Sequence, residues 1–221
     1  MKLYSESYDS RRLIAWVDLS TYCNAGCPQC HRTSPNGDKV DWLPLIQWDL
    51  QTFKKAFSPK ELNHYTEIEL CGTFGDPIMN KDIFEIVSYI IEHGRPSVKI
   101  NTNGSLRDEE WWWNLGCLSK DKLNVWFAVD GCTQEMHELY RQKTDLQKIK
   151  ENVEAYCATG ATAHVMTIVF KHNQNYKSEI EQMVRGWGVT GEMMFVNSTR
   201  FNPHDPYVKG IVLEKANGSK V

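Results

Sequence analysis

A sixfold alternation of short apolar runs with amphipathic runs constrains the fold of this 221-residue chain more than any other feature. The apolar runs are predicted strands at residues 12–19, 66–71, 97–102, 124–129, 163–170 and 192–197. Strands that alternate with helices form parallel sheets with right-handed crossovers and the helices outside. The pattern therefore predicts an α/β fold, a partial (β/α)6 TIM-like barrel open on one side. Its functional loops are expected at the C-terminal strand ends.

Several local patterns give finer expectations. The first predicted strand is mostly apolar, as expected for a strand that is buried on both faces. A helix is expected from about residue 45 to 57. Asn80 is expected to cap a helix at about 81–93, because asparagine is a favoured N-cap. Thr144 and Gln147 have capping-box spacing and predict the start of a later helix.

Composition and charge limit the class of protein. Hydrophobic residues make up 41% and charged residues 24% of the chain, which is ordinary for a soluble globular protein. The net charge of −3 does not indicate a broadly basic nucleic-acid surface. No run of eighteen apolar residues suggests a membrane span, and the first residues lack an apolar signal core. We expect a cytoplasmic protein with a core domain at 1–200 and a C-terminal tail at 201–221, with no membrane partner and no indicated nucleic-acid partner.

Three of the seven cysteines stand within eight positions, directly after the first predicted strand. Cys23, Cys27 and Cys30 have the spacing Cys-x3-Cys-x2-Cys, and thiolates are soft ligands that favour iron–sulfur clusters. Three thiolates leave one iron of a four-iron cube open, and an open position on a metal is where chemistry occurs. A structural zinc site would need a fourth ligand, and His31 is poorly spaced for it. The remaining cysteines are scattered singly and are expected to be free thiols in a reducing compartment.

The cysteine spacing is similar to the signature of the radical S-adenosylmethionine (radical SAM) superfamily. The resemblance implies a [4Fe-4S] cluster on Cys23, Cys27 and Cys30, with the amino and carboxylate groups of S-adenosylmethionine on the open iron. One electron from the cluster would split S-adenosylmethionine into methionine and a 5′-deoxyadenosyl radical. That radical would abstract hydrogen from a substrate. A one-electron donor such as flavodoxin or ferredoxin is implied as a partner.

The loop Gly72-Thr73-Phe74-Gly75-Asp76-Pro77 follows the second predicted strand. It is similar to the Gly-Gly-Glu-Pro element of radical SAM enzymes, which holds the amine of S-adenosylmethionine. Asp76 replaces the usual glutamate, and Phe74 replaces the first glycine. The resemblance implies that Gly75 and Asp76 help to bind S-adenosylmethionine, since glycine allows close backbone approach and a carboxylate accepts hydrogen bonds from an ammonium group. The alternative is an ordinary strand-to-helix turn that contains an aspartate.

Two further strand ends resemble the peptide- and protein-modifying subgroup of the superfamily. Asp130-Gly131, followed by Tyr140-Arg141, matches a pattern of that subgroup. The resemblance implies that Arg141 clamps the carboxylate of S-adenosylmethionine, while Asp130 binds ribose hydroxyls or orients the site. Asn103 lies in a Thr-Asn-Gly sequence seen at the third strand of the same subgroup, although Asn-Gly also favours ordinary turns.

Two more positions are placed by the resemblance alone. Val196, in the sixth predicted strand, lies where the superfamily packs the adenine ring against backbone. Gln29 occupies a position that is commonly aromatic, and this departure weakens the adenine contact expected there while leaving the ligand spacing unchanged.

The substrate and the non-enzymatic alternatives stay open at the level of sequence. The motifs favour a peptide or protein substrate, but no cysteine follows Cys157, where that subgroup usually has a cysteine-rich extension. A radical SAM enzyme acting on a nucleotide or another small molecule is the alternative. An iron–sulfur electron carrier would need a fourth cysteine ligand. A zinc-binding interaction module is disfavoured by six strand–helix units with their motif loops at one edge.

Overall fold

The structure is a computed structural model that describes residues 13–34, 36–198 and 213–217. The start of the first predicted strand and most of the predicted tail lie outside these residues. Strands β1 to β6 are Ile14–Val17, Glu67–Leu70, Ser97–Thr102, Leu123–Ala128, Ala163–Val169 and Met193–Asn197. Helices α1 to α7 are Leu50–Ala56, Pro59–Leu62, Ile83–His93, Glu109–Leu118, Gln134–Glu138, Leu146–Ala158 and Lys177–Gly186. A 3-10 helix spans Pro77–Met79.

All six strands are parallel and lie in the order β1-β2-β3-β4-β5-β6. Within the described residues, β1 and β6 are each paired on one side only, so the sheet is not closed. The prediction of an open, six-unit TIM-like barrel is confirmed. The C-terminal ends of all six strands lie along the same edge, which brings the motif loops together.

The two faces of the sheet differ sharply in burial. In the four central strands the face covered by helices is buried, as at Ile68, Ile100 and Val125, and forms the main core. The opposite face, here called the inner face, is partly open. The expectation that β1 is buried on both faces is wrong, because Trp16 on the inner face is 74% exposed. Six strands do not close around the barrel axis, so nothing in the described chain covers this edge of the sheet.

Helix α1 begins later than the predicted helix at 45–57. The residues before it run alongside the cysteine loop instead. The backbone N–H of Trp48 donates to the carbonyl of Leu19 at 3.0 Å, and the N–H of Thr21 donates to the carbonyl of Ile46 at 3.0 Å. Asp49 then caps the helix by accepting a hydrogen bond from the N–H of Thr52 at 2.7 Å.

Asn80 and Thr144 do not occupy the N-cap positions predicted for them. The N-caps are Asp82 for α3 and Asp145 for α6. The side-chain amide of Asn80 instead donates to the carbonyls of Leu19 and Trp48, at 2.9 and 2.8 Å. Thr144 hydrogen-bonds within the site described below. A partner distant in the chain takes the side chain of Asn80, whereas Thr144 bonds to His137 and Arg141, seven and three residues before it.

No helix in the described part of the chain is both long enough and apolar enough to cross a bilayer.

Candidate functional site

The three cysteines of the motif lie on the loop that leaves β1. They contribute to one small hydrophobic cluster together with Tyr140 and Phe170. Cys27 is buried and the other two are half-buried, and all three are free thiols. The loop is braced internally by a hydrogen bond from the N–H of Cys30 to the carbonyl of Cys27, at 3.0 Å. The structure therefore brings together the three predicted metal ligands.

Hydrogen-bond donors and a cation surround the sulfur atoms. Sγ of Cys23 lies 3.4 Å from the N–H of Ala25 and 3.9 Å from Nδ2 of Asn103. Sγ of Cys27 lies 3.9 Å from Nη1 of Arg141. Burial raises the pKa of the Cys23 thiol to about 12 and that of Cys27 to about 11, with Arg141 opposing the rise at Cys27. A bound metal displaces such protons outright.

This donor set fits a four-iron cluster. Among the described residues, no three His, Cys, Asp or Glu side chains converge on a point that could hold a single metal ion. In a cube, each thiolate binds a different iron, so its ligands are spread apart. Donors directed at the sulfurs and a nearby guanidinium suit the negative charge of a thiolate-bound cluster. Cys23, Cys27 and Cys30 are the residues that would hold it.

Asp76 lies beside the cysteine loop and is 4% exposed. Its carboxylate accepts hydrogen bonds from the N–H of Ile78 at 3.0 Å and from the Thr102 hydroxyl at 2.9 Å. It also accepts from the N–H and the side-chain amide of Asn103, at 2.8 and 2.6 Å. Burial raises the pKa of Asp76, while the hydrogen bonds from Asn103 and Ile78 oppose the rise. Asp76 thus ties the loop after β2 to the end of β3.

Gly75 is required by chain packing at the site. A Cβ at this position would lie 2.0 Å from the carbonyl oxygen of Ser20 and 2.8 Å from that of Tyr22. The next residue, Asp76, donates its N–H to the carbonyl of Tyr22 at 2.8 Å. The close approach that glycine allows is therefore made to the cysteine loop, whereas the sequence suggested an approach to a ligand.

Asp130 and Arg141 form a buried ion pair, with 2.6 Å between Oδ2 and Nε. The other carboxylate oxygen of Asp130 accepts the N–H of Ile168 at 2.6 Å. Burial by itself would lower the pKa of Arg141, but Asp130 and Cys27 raise it above its ordinary value. Arg141 is therefore a fixed cation next to a cluster ligand, and Asp130 orients it.

Two residues that support this pair were not identified from the sequence. His137 is fully buried, and its Nδ1 accepts the N–H of Asp130 at 3.2 Å. Its Nε2 lies 3.0 Å from the hydroxyl of Thr144, which donates in turn to the carbonyl of Arg141 at 2.6 Å. Asn173 donates to the carbonyls of Asp130 and Ile168, at 2.9 Å each. The position of His137 between the Asp-Gly and Tyr-Arg motifs was the available signal; nothing in the sequence singles out Asn173.

Gln29 lies on the loop after β1 and Val196 lies in β6, the two edge strands of the sheet. Gln29 is buried, and its side-chain oxygen accepts a hydrogen bond from the hydroxyl of Ser198 at 2.5 Å. This hydrogen bond links the cysteine loop to the end of β6, across the gap between the two edge strands. Val196 pairs in register with Ile168 and is 37% exposed. It is thus one strand away from the backbone N–H that binds Asp130.

No protein-family model matches the chain. It is 27% identical over 160 residues to a probable GTP 3′,8-cyclase of Methanothermobacter thermautotrophicus, covering 72% of this chain and 49% of that protein. It is 25% identical over 194 residues to the 7,8-dihydro-6-hydroxymethylpterin dimethyltransferase of Methanocaldococcus jannaschii, covering 81% and 36%. The chain thus spans about half or less of the length of these relatives.

Solved structures share the fold. Streptococcus suis SuiB bound to S-adenosylmethionine superimposes with a TM-score of 0.71 at 12% identity, covering 93% of this chain and 44% of SuiB. SuiB has also been solved with its precursor peptide SuiA. In its cysteine motif, its fold and its sequence relatives, the chain is similar to the radical S-adenosylmethionine superfamily.

Proposed function

We propose that this protein is a radical SAM enzyme that cleaves S-adenosylmethionine reductively and abstracts hydrogen from a substrate. The observation that carries the proposal is the placement of the Arg141 guanidinium, held by the buried carboxylate of Asp130, 3.9 Å from the sulfur of Cys27. A cation there suits a carboxylate-bearing ligand next to the cluster.

When bound, a [4Fe-4S] cluster supplies the electron that splits S-adenosylmethionine. Arg141 would bind the carboxylate of S-adenosylmethionine, since Asp130 holds Nε and keeps the guanidinium in place. Asp76 would bind the amino group only by exchanging one of its present donors, because its carboxylate already accepts from Ile78, Thr102 and Asn103.

The remaining roles follow from the resemblance. Asn103 and Gly75 would shape the amine end of the S-adenosylmethionine site, and Val196 would contact the adenine. A flavodoxin or ferredoxin as electron donor, a cytoplasmic location and the domain limits at residue 200 stay predictions.

Two substrate classes have support. The Asp-Gly and Tyr-Arg motifs resemble the peptide-modifying subgroup, and SuiB binds a precursor peptide. The names of the sequence relatives point instead to small molecules, GTP in one case and a pterin in another. Both of these molecules contain a fused ring with amino and oxo groups. The side chains on the inner face of the sheet bear on this choice.

The test is anaerobic reconstitution with iron and sulfide, reduction with dithionite, addition of S-adenosylmethionine, and chromatography for 5′-deoxyadenosine. We expect wild type to form the product and Cys27→Ala to lose it, because one ligand of the cluster is missing. Cys117→Ala is the matched control, since Cys117 is an exposed cysteine on α4. It should behave as wild type.

Some enzymes of this kind cleave S-adenosylmethionine only with substrate present, so binding is measured in parallel. Addition of S-adenosylmethionine should perturb the electron paramagnetic resonance signal of the reduced cluster. A cluster that is reduced reversibly but is not perturbed would identify an electron carrier instead. Stoichiometric zinc with no iron or sulfide would identify a zinc-binding module and end the proposal.

A further inference from the structure

The inner face of the sheet carries a connected set of polar and aromatic side chains below the cysteine loop. Adjacent strands contribute Trp16, Glu69, Lys99 and Trp126, which lie outside the helix-covered core. We call this set, together with Asn101, the inner-face layer. None of these residues is among those proposed above to hold the cluster or S-adenosylmethionine.

Glu69 is the centre of the layer. Its carboxylate accepts hydrogen bonds from Nε1 of Trp16 at 3.0 Å and from Nδ2 of Asn101 at 2.6 Å. Nζ of Lys99 lies 3.3 Å from the same carboxylate. The side chain of Lys99 is 26% exposed and that of Glu69 is 15% exposed. A carboxylate offers about four lone-pair sites, so Glu69 retains acceptor capacity on an accessible face.

Two tryptophan rings lie on either side of the Glu69–Lys99 pair, Trp16 next to Glu69 and Trp126 next to Lys99. The Trp16 indole is held in place by its hydrogen bond to Glu69 while its ring is exposed. The Trp126 ring is stacked on His164, with 4.7 Å between ring centroids, and Nζ of Lys99 lies 5.3 Å from its centroid. Nδ1 of His164 accepts the N–H of Glu192, and its buried Nε2 has no hydrogen-bond partner in the described structure. Buried polar atoms of this kind are uncommon in folded proteins.

The layer lies within reach of the cluster. Asn101 precedes Asn103 by two residues on the same strand face, which is about 6.6 Å along a strand. Asn103 contacts Cys23 Sγ at 3.9 Å. A molecule of nucleoside size, anchored at Glu69, could therefore extend to the level of the cysteine loop.

The chemistry of the layer restricts its ligand. Glu69 accepts hydrogen bonds and disfavours anions, while the adjacent Lys99 donates and disfavours cations such as a guanidinium. The exposed Trp16 ring offers a surface for a flat group. A neutral planar ring with two adjacent N–H donors beside a carbonyl acceptor satisfies all three conditions. The 2-amino-4-oxopyrimidine ring shared by guanine and pterins has this pattern.

We propose that the inner-face layer is the substrate-recognition site and that it binds a 2-amino-4-oxopyrimidine ring, with Glu69 accepting from the ring N–H and amino groups and Lys99 donating to its carbonyl. This inference rests on the proposed function, because it assigns the substrate of that same site. Glu69 and Lys99 are specificity-determining residues, and Trp16 is a stacking residue.

The test is isothermal titration calorimetry on the reconstituted, S-adenosylmethionine-bound protein under anaerobic conditions. The probes are guanosine, 6-hydroxymethyl-7,8-dihydropterin and inosine. Guanosine or the dihydropterin should bind, and the tighter of the two identifies the source of the ring. Inosine lacks the 2-amino group and should bind about tenfold more weakly than guanosine, since the Glu69 carboxylate then loses its amino donor.

Variants locate the binding. Glu69→Gln should weaken binding of the tighter probe about tenfold, and Trp16→Ala should weaken it about fivefold through lost stacking. Glu67→Gln is the matched control, because Glu67 lies two residues earlier on the same strand. It should change affinity less than about twofold, as expected for a residue outside the layer.

Formation of 5′-deoxyadenosine is measured on the same preparations. If wild type cleaves S-adenosylmethionine but binds neither heterocycle, or if Glu69→Gln and Glu67→Gln bind equally, the inference is overturned and the proposed function stands. Binding that depends on Glu69 in a protein that neither holds a cluster nor cleaves S-adenosylmethionine would leave the layer as a binding site and overturn the proposed function.

Discussion

Asp76 and Asp130 are both buried aspartates at the C-terminal edge of the same sheet, yet they hold different kinds of partner. Asp76 receives only neutral donors, from Ile78, Thr102 and Asn103. Asp130 receives one backbone N–H and the charged Nε of Arg141. Asp76 therefore joins the loop after β2 to the end of β3, whereas Asp130 holds the guanidinium of Arg141 in place. The partners brought by the fold decide the role of a buried carboxylate.

The largest effect is expected from Asp130→Asn. The substitution keeps the shape but removes the charge that pairs with Arg141, and an unpaired buried cation costs about 3–5 kcal/mol. The free energy of unfolding, measured by urea denaturation followed by circular dichroism, should fall by that amount. Binding of S-adenosylmethionine should weaken as well, because the guanidinium loses its orientation. An unchanged unfolding midpoint would contradict a buried ion pair.

Asp76→Asn tests the other half of the site and should cost less, about 3 kcal/mol, because no charge is left unpaired. The amide places an NH2 group among the donors of Thr102 and Asn103, so at least one donor loses its acceptor. The same urea experiment measures this difference. The comparison fails if Asp76→Asn destabilises the protein more than Asp130→Asn.

In the Asp130 half, a pH effect should come from His137. Burial lowers the pKa of His137 to about 4, while Asp130 and Arg141 act in opposite directions. The unfolded chain takes up a proton near pH 6.5 that the folded chain does not, so stability is lost as the pH falls from 6.5 towards 4. This group should contribute a loss of about 2 kcal/mol between pH 7.5 and pH 5.

His137→Gln is the control for the pH effect, because it removes the titrating ring and leaves the other ionisable groups. Its stability should depend less on pH than that of wild type, by about 2 kcal/mol over the same interval. Equal pH dependence of the two proteins would show that His137 titrates normally.

The smallest change in the free energy of unfolding is expected in the Asp76 half, from the loss of a single hydroxyl donor. Thr102→Val removes one donor to a carboxylate and should cost about 1.5 kcal/mol, since hydrogen bonds to charged groups exceed neutral ones. Thr167→Val removes a hydroxyl donor to the carbonyl of Val129, a neutral acceptor at 2.6 Å. It should cost about 1 kcal/mol. A larger loss from Thr167→Val would indicate that Asp76 is not ionised.

Much of the fold could be predicted because its signals are local. The strand–helix alternation predicts parallel strands and the edge at which the motif loops meet. The cysteine spacing lies within eight residues and is itself the ligand pattern. Errors occurred where local capping patterns competed with distant partners, as at Asn80, which binds the backbone of Leu19 and Trp48. The exposure of β1 could not be predicted either, because an apolar run carries no information on whether a sheet closes.

The sequence by itself determined the order of the elements, the parallel sheet and the residues of the cysteine loop, because these follow from periodicity and short spacing. Only the tertiary structure decided what the polar residues do. Asp76 meets Thr102, Gln29 meets Ser198, and Glu69 meets Trp16 and Asn101. These partners are 26 to 169 positions apart, and hydrogen bonds between them depend on strand register and loop packing, which sequence patterns do not encode.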